Sequence, residues 1–266
     1  MNKTKIEWCD RTWNPVTGCL HGCEYCYARR IAKRFSVYMN FINKAHVNMG
    51  RTFVLEKQCK VNRYNHAVDT QPVKTITDSY PYGFAPTFHR YLINEPSKIK
   101  KPQNIFVCSM ADLFGDWVPD EWIEEVFKAC EKAPHHRYLF LTKNPKRYLE
   151  FLRIEGDNYW LGITITTQKD MEKLDCFYRS NNHYKNIFIS VEPILEGITL
   201  SSNKNVFTPD WLIIGAETGN RKGKIIPERK WIENIVNSCE EKKIPVFMKN
   251  NLKDIWGDPL IQEYPW

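Results

Sequence analysis

Residues 104–144 read NIFVCSMADLFGDWVPDEWIEEVFKACEKAPHHRYLFLTKN. Two short apolar runs, Ile105–Cys108 and Tyr138–Thr142, enclose a segment, Pro119–Ala133, with helical spacing and a proline where a first helical turn favours one. Strand, helix and strand in that order make one β/α unit. The same alternation continues downstream through Trp160–Thr166, Ile187–Val191, Trp211–Gly215 and Pro245–Met248, with a second proline-led helix at Pro227–Lys242. Asn144–Arg153 and Gln168–Tyr178 are weaker helical segments, the first opened by Asn144 as a cap before Pro145. Pro193–Pro209 carries no helical stripe and reads as an irregular connection.

Upstream, Thr12–Thr17 reads as a first strand entering a cysteine loop, with Tyr27–Phe35 as the helix after it. The expectation is an α/β protein built as a partial or complete parallel (β/α) barrel of six to seven strands, in one domain over 1–266. Residues 36–103, which include the run Tyr80-Pro81-Tyr82-Gly83-Phe84, interrupt the alternation. They read as an insertion after the first β/α unit, packed on the barrel. No internal repeat is visible.

The chain has 266 residues, 42% hydrophobic and 26% charged, enough for a large core. No stretch approaches the ~20 apolar residues of a membrane span, and the opening MNKTKIEWCDRTWN has no apolar signal region. A cytoplasmic location without a membrane partner follows as the expectation. Nine cysteines, an odd number, then read as reduced thiols or metal ligands. Cys108, Cys130, Cys176 and Cys239 lie within apolar patterns and suit small buried hydrophobes. Cys59 lies in a polar stretch, and Cys9 is near the cysteine loop in sequence.

A formal charge of +7 is compatible with nucleic-acid binding. Arg29, Arg30, Lys33 and Arg34 follow the cysteine loop, and Lys98, Lys100 and Lys101 form a second group. A phosphate-bearing substrate and a solvated helix face both account for the first group. The chain has neither a G-x-G-x-x-G fingerprint nor a phosphate-binding G-x-x-x-x-G-K-[ST] loop, which argues against nicotinamide enzymes and P-loop NTPases. Gly215 and Gly219 bracket Ala216, Glu217 and Thr218 in a turn where backbone can approach a ligand closely.

The loop GCLHGCEYCY, residues 18–27, places Cys19, Cys23 and Cys26 where three thiolates can meet one metal centre. Iron–sulfur cubanes usually take four cysteines, so three leave one iron open to a ligand. Taken alone, the same residues with His21 or Cys9 also satisfy a tetrahedral zinc site, although no second ligand pair lies downstream. His21 reads otherwise as an ordinary loop residue.

The three-cysteine spacing, with Tyr25 directly before the third cysteine, resembles the radical S-adenosylmethionine (radical SAM) superfamily. The strings IEWCDRTWNPVTGC (6–19), CSMADLFGD (108–116), LTKNPKR (141–147), SVEP (190–193), GAETG (215–219) and FMKN (247–250) are similar to its phage-associated three-cysteine-motif family of unknown function. The resemblance implies a radical SAM barrel holding a [4Fe–4S] cluster on Cys19, Cys23 and Cys26. S-adenosylmethionine would chelate the open iron and be cleaved to a 5′-deoxyadenosyl radical, with Tyr25 against its adenine. It implies a reductant such as flavodoxin or ferredoxin and, in some genomes, a three-Cys-motif partner protein. By the same resemblance the family is similar in chemistry to the spore photoproduct lyases, which repair DNA, and this implies a nucleic acid or nucleotide substrate.

In a β/α barrel the reactive groups gather at the C-terminal strand ends. Ser109 and Asp112 follow one strand, Lys143 the next, then Thr166 and Gln168, Glu192, Glu217, and finally Lys249. With the resemblance, Ser109 and Asp112 are candidates for the methionine end of S-adenosylmethionine, and Thr166, Gln168 and Glu192 for its ribose. Lys143, Glu217 and Lys249 remain for the substrate. Two other readings stay open: a zinc-stabilised nucleic-acid-binding module without catalysis, and a radical enzyme acting on a peptide or small metabolite.

Overall fold

In the computed structural model, which describes residues 1–36, 51–62, 75–151, 156–179, 185–200 and 208–266, the apolar runs after residue 104 become strands buried on both faces. That pattern belongs to a parallel sheet covered on two sides. In chain order the strands are β1 (Asn2–Lys3), β2 (Arg11–Trp13), β3 (Val16–Thr17), β4 (Phe53–Leu55), β5 (Lys60–Asn62), β6 (Thr75–Thr77) and β7 (Thr87–His89). They continue as β8 (Asn104–Val107), β9 (Arg137–Thr142), β10 (Tyr159–Thr164), β11 (Ile187–Val191), β12 (Trp211–Ile214) and β13 (Val246–Met248).

Eight strands form one mixed sheet in the order β1-β2-β8-β9-β10-β11-β12-β13. Only the β1–β2 pair is antiparallel. All seven expected strand positions contribute to it, and β1 is an addition. Between the strands lie α1 (Tyr27–Phe35), α2 (Asp120–Glu131), α3 (Asp175–Arg179), α4 (Arg229–Lys242) and α5 (Lys253–Trp256). Trp122, Ile123, Val126 and Cys130 of α2, and Ile232, Ile235, Val236 and Cys239 of α4, form stripes at helical spacing against one sheet face.

The sheet is curled but not closed, with β1 and β13 as its edges. β8 and β12 stand four strands apart, about 19 Å in a flat sheet. Yet Trp8 has its ring centroid 4.7 Å from Phe106 on β8 and 6.4 Å from Trp211 on β12. One side chain reaches both because the sheet wraps around it. Trp160, Phe188 and Phe247 complete this aromatic floor, with Trp266 packed on Trp160 and Trp211. Gly162 makes room for it, since a Cβ there would stand 2.2 Å from the Phe188 ring. Across the open gap, Glu7 accepts hydrogen bonds from Asn250 N–H (3.1 Å) and Tyr264 O–H (3.0 Å).

Several sequence expectations need correction. Thr12–Thr17 is not one strand: Pro15 has no N–H to donate, and the chain changes sheets there. β2 joins β8, whereas β3 pairs antiparallel with β7. Asn144–Arg153 narrows to a 3-10 turn over Pro145–Glu150, with residues 152–153 outside the described part. Gln168–Tyr178 divides into a 3-10 turn, Gln168–Leu174, followed by α3. The irregular connection expected over Pro193–Pro209 is borne out at 193–200, which form no regular element, while 201–207 lie outside the described residues. Of the 36–103 insertion, residues 37–50 and 63–74 also lie outside them. Its β7 lies in a small sheet, β3-β7-β4, and packs on the core through Phe88 against Trp122, with ring centroids 5.3 Å apart. No described helix is long and apolar enough to cross a membrane.

His89 on β7 is buried and shares a 2.8 Å hydrogen bond with Thr17 Oγ1. Burial lowers its pKa to about 4, so the folded protein resists a proton that the unfolded chain accepts near 6.5. Stability is then unaffected above the unfolded value and falls as the pH drops from 6.5 toward 4, by about 3 kcal/mol. Urea unfolding at a series of pH values should show this acid limb, and His89→Gln should flatten it. An equally steep limb in the variant would assign the loss to other groups.

Candidate functional site

A cavity of about 370 Å³ opens at the C-terminal strand ends, above the aromatic floor. Its walls bring together Cys19, Cys23, Cys26, Tyr25, Ser109, Asp112, Lys143, Glu192, Glu217 and Lys249. Thr166 and Gln168 are not in its lining. The Thr166 N–H and hydroxyl both donate to Asp170, each at 2.8 Å. The Gln168 amide oxygen accepts from Thr199 N–H at 2.7 Å. Both residues tie down the turn after β10.

The cysteine loop is shaped by Gly18, whose φ of +88° few other residues tolerate. Its N–H donates to Met110 O at 2.9 Å, and a Cβ would lie 2.2 Å from Ala85 O. At the other end of the loop, Cys26 caps α1, its Sγ accepting from Arg29 N–H at 3.3 Å. The Arg29 guanidinium reaches back to Cys19 O at 3.2 Å.

Asp112 is the hub beneath this loop. Its carboxylate accepts from Thr142 Oγ1 (2.7 Å), Phe114 N–H (3.1 Å) and Lys143 N–H (2.9 Å), and it lies 2.7 Å from His21 Nε2. The His21 ring stands edge-on to Trp117 at 4.8 Å. His21 is therefore not an ordinary loop residue: it fastens the cysteine loop to the end of β8. Nothing local in the sequence marks a contact between residues 91 positions apart. Ser109 is held similarly, its hydroxyl bonded to Asn14 Oδ1 at 3.2 Å and its carbonyl accepting from Tyr27 O–H at 2.6 Å.

Two lysines point into the cavity in different electrical settings. Lys249 Nζ lies 2.6 Å from Glu192 Oε1 and 4.0 Å from Glu7. Burial alone would lower its pKa, but the two carboxylates raise it above the ordinary lysine value. Glu192 and Lys249, expected to serve cofactor and substrate separately, are thus one ion pair. Lys143 Nζ donates to Tyr25 Oη at 2.9 Å, and burial lowers its pKa. Glu217, expected to face a substrate, has both carboxylate oxygens held by Arg221 at 2.8 and 2.9 Å. Arg221 also reaches Glu24 at 3.4 Å, and Arg30 donates to Thr218 O at 2.9 Å. These contacts clasp the loop after β12 to the cysteine loop and α1.

All nine cysteines are free thiols. Cys108, Cys130 and Cys239 are buried as expected; Cys176 and Cys59 are half-buried, and Cys9 is buried beside Trp8 in the floor cluster. Among the described residues, no three His, Cys, Asp or Glu side chains are drawn close enough to grip an ion. The donor set nevertheless suits a metal centre, since the three loop thiols all face the same cavity. Burial pushes the Cys19 thiol up to about 12, so a thiolate there needs a cation beside it, as a bound metal provides.

This chain belongs to the family described as "Protein of unknown function (DUF5131)", whose model matches residues 3–258. No curated protein and no solved structure matches it.

Proposed function

We propose that the protein is a radical SAM enzyme of the cytoplasm that acts on a nucleic acid or nucleotide. The observation that carries this reading is the gathering of Cys19, Cys23 and Cys26 around one cavity with Tyr25, Lys143, Glu192 and Lys249, from strands β9, β11 and β13. Cys19, Cys23 and Cys26 would hold a [4Fe–4S] cluster, which supplies the one-electron chemistry that cleaves S-adenosylmethionine, with flavodoxin or ferredoxin as electron source.

The chain's own groups divide the remaining work. Asp112 and His21 set the position of the cysteine loop. Ile6, Trp8, Phe106 and Leu141 give the cavity an apolar base that keeps water from reactive species. The Glu192–Lys249 pair offers a hydrogen-bond acceptor and donor to sugar hydroxyls while remaining neutral as a unit. Lys143 forms no described ion pair with a carboxylate and presents its positive charge to an anionic group.

The test is anaerobic reconstitution with iron and sulfide, followed by metal analysis and reduction in the presence of S-adenosylmethionine. About four iron and four sulfide per chain, with 5′-deoxyadenosine as product, is the expected result. Stoichiometric zinc without iron uptake or product would replace this reading with the zinc-stabilised nucleic-acid-binding module.

A further inference from the structure

The mouth of the cavity is bordered by two exposed segments, α1 and residues 217–226, joined by the Arg30–Thr218 and Arg221–Glu24 contacts. Residues 24–35 and 217–226 together carry seven Lys and Arg against two carboxylates, Glu24 and Glu217. Arg221 occupies both carboxylates and Arg29 turns inward to Cys19 O, which leaves Arg30, Lys33, Arg34, Lys222 and Lys224 as the exposed positive charge of the rim. On α1, Arg30 and Arg34 stand one turn apart and share a face. Next to them runs an apolar stripe at the same spacing, Tyr27, Ile31 and Phe35, with Phe35 54% exposed. The buried side of the helix is only Ala28 and Ala32. Ile226, 71% exposed, repeats this mixture beside Lys222 and Lys224.

Cations beside exposed apolar and aromatic side chains complement a chain that alternates phosphates with flat bases. We infer that α1 and residues 217–226 form a single-stranded nucleic-acid-binding rim that leads one nucleotide into the cavity. The inference rests on the proposed substrate class but not on cluster chemistry. The charges neutralise phosphates and the apolar stripe stacks bases. A duplex hides its base faces and forfeits the second contribution. An acidic protein would meet the charges but leave Phe35 and Tyr27 without flat partners.

The experiment titrates the anaerobically purified protein, without S-adenosylmethionine, into a labelled single-stranded oligodeoxynucleotide of about twelve nucleotides over about 50–200 mM salt. Arg34→Ala, Lys222→Ala and Lys224→Ala combined should weaken binding roughly 100-fold at the lowest salt and flatten the log–log salt slope by about 2, at about 0.7 per lost phosphate contact. Phe35→Ala should weaken binding roughly tenfold without changing the slope, as loss of stacking does. Lys100→Ala, Lys101→Ala and Lys132→Ala combined remove the same charge from segments leading into the N-terminal ends of β8 and β9, and should change little.

Absent or salt-insensitive binding, equal loss in the control variant, tighter binding of the duplex, or equal competition by polyglutamate would each overturn the inference. Because no cluster is needed, a protein that binds the strand but forms no 5′-deoxyadenosine would sink the enzymatic reading alone. One that forms 5′-deoxyadenosine without binding the strand would sink only this inference.

Discussion

Cys19→Ala, Cys23→Ala and Cys26→Ala should each lose bound iron, from about four per reconstituted chain to background, and with it all 5′-deoxyadenosine formation. The effect is all or none because a cubane held by two thiolates has lost the ligand that anchors its third iron. Cys130→Ala and Cys239→Ala are the matched controls. Both thiols are fully buried on α2 and α4, in the cluster against the other face of the sheet, and neither lines the cavity. These variants should keep their iron and lose about 1 kcal/mol of stability, the size of one buried methyl group. Iron content and product yield measured on all five proteins would decide the matter. Full iron with continued turnover in any of the three loop variants would remove that residue from the ligand set.

The second large effect falls on the Glu192–Lys249 pair. Glu192→Met leaves the Lys249 ammonium largely buried, with only Glu7 at 4.0 Å to answer it. Lys249→Met leaves the Glu192 carboxylate with the Ser190 hydroxyl at 3.4 Å. Removing one partner of a buried pair costs about 3 kcal/mol, whereas replacing both by apolar groups of similar size is often neutral. The double variant should therefore be more stable than either single one in urea unfolding of the cluster-free protein. On the proposed role of the pair in meeting sugar hydroxyls, it should still bind S-adenosylmethionine poorly once reconstituted. Additive losses would mean that the two side chains do not depend on each other.

The strands were legible because a parallel strand buried on both faces has to be apolar along its length, as Trp160–Thr164 and Ile187–Val191 are. The principal helices were legible through proline at their starts and a regular apolar stripe. The turns after β9 and β10 were over-read as helices, because polar residues at helical spacing do not reveal whether a core lies beneath them. The division at Pro15 was in the sequence as a missing donor, but the partner strand, β7, lies in the insertion. That Cys19, Cys23 and Cys26 would share one place could be read from their spacing, and all three line one cavity. The pairings that decide what their neighbours do could not be read: Glu192 with Lys249, His21 with Asp112 and Glu217 with Arg221 depend on which charges the fold brings together, and in the first two the partners are far apart in the chain. Thr166 and Gln168 failed as cavity residues for the same reason. Thr166 is tied to Asp170 in the turn that follows β10, and the Gln168 amide to Thr199 beyond β11.

The bridge at Glu7 sets how freely this container can change girth. A sheet sewn shut by a full ladder has a fixed circumference, because widening it breaks a row of backbone bonds together. Here the ends of the sheet meet through the hydrogen bonds of Asn250 and Tyr264 to Glu7 and its looser approach to Lys249, like a cuff fastened by a hook. Each such bond contributes about 1 kcal/mol net, so letting the cuff out by one notch is within reach of the binding energy of a modest ligand. The described joins across the gap are thus few and local, with the Arg30–Thr218 and Arg221–Glu24 contacts beside the mouth, and loosening them breaks no ladder.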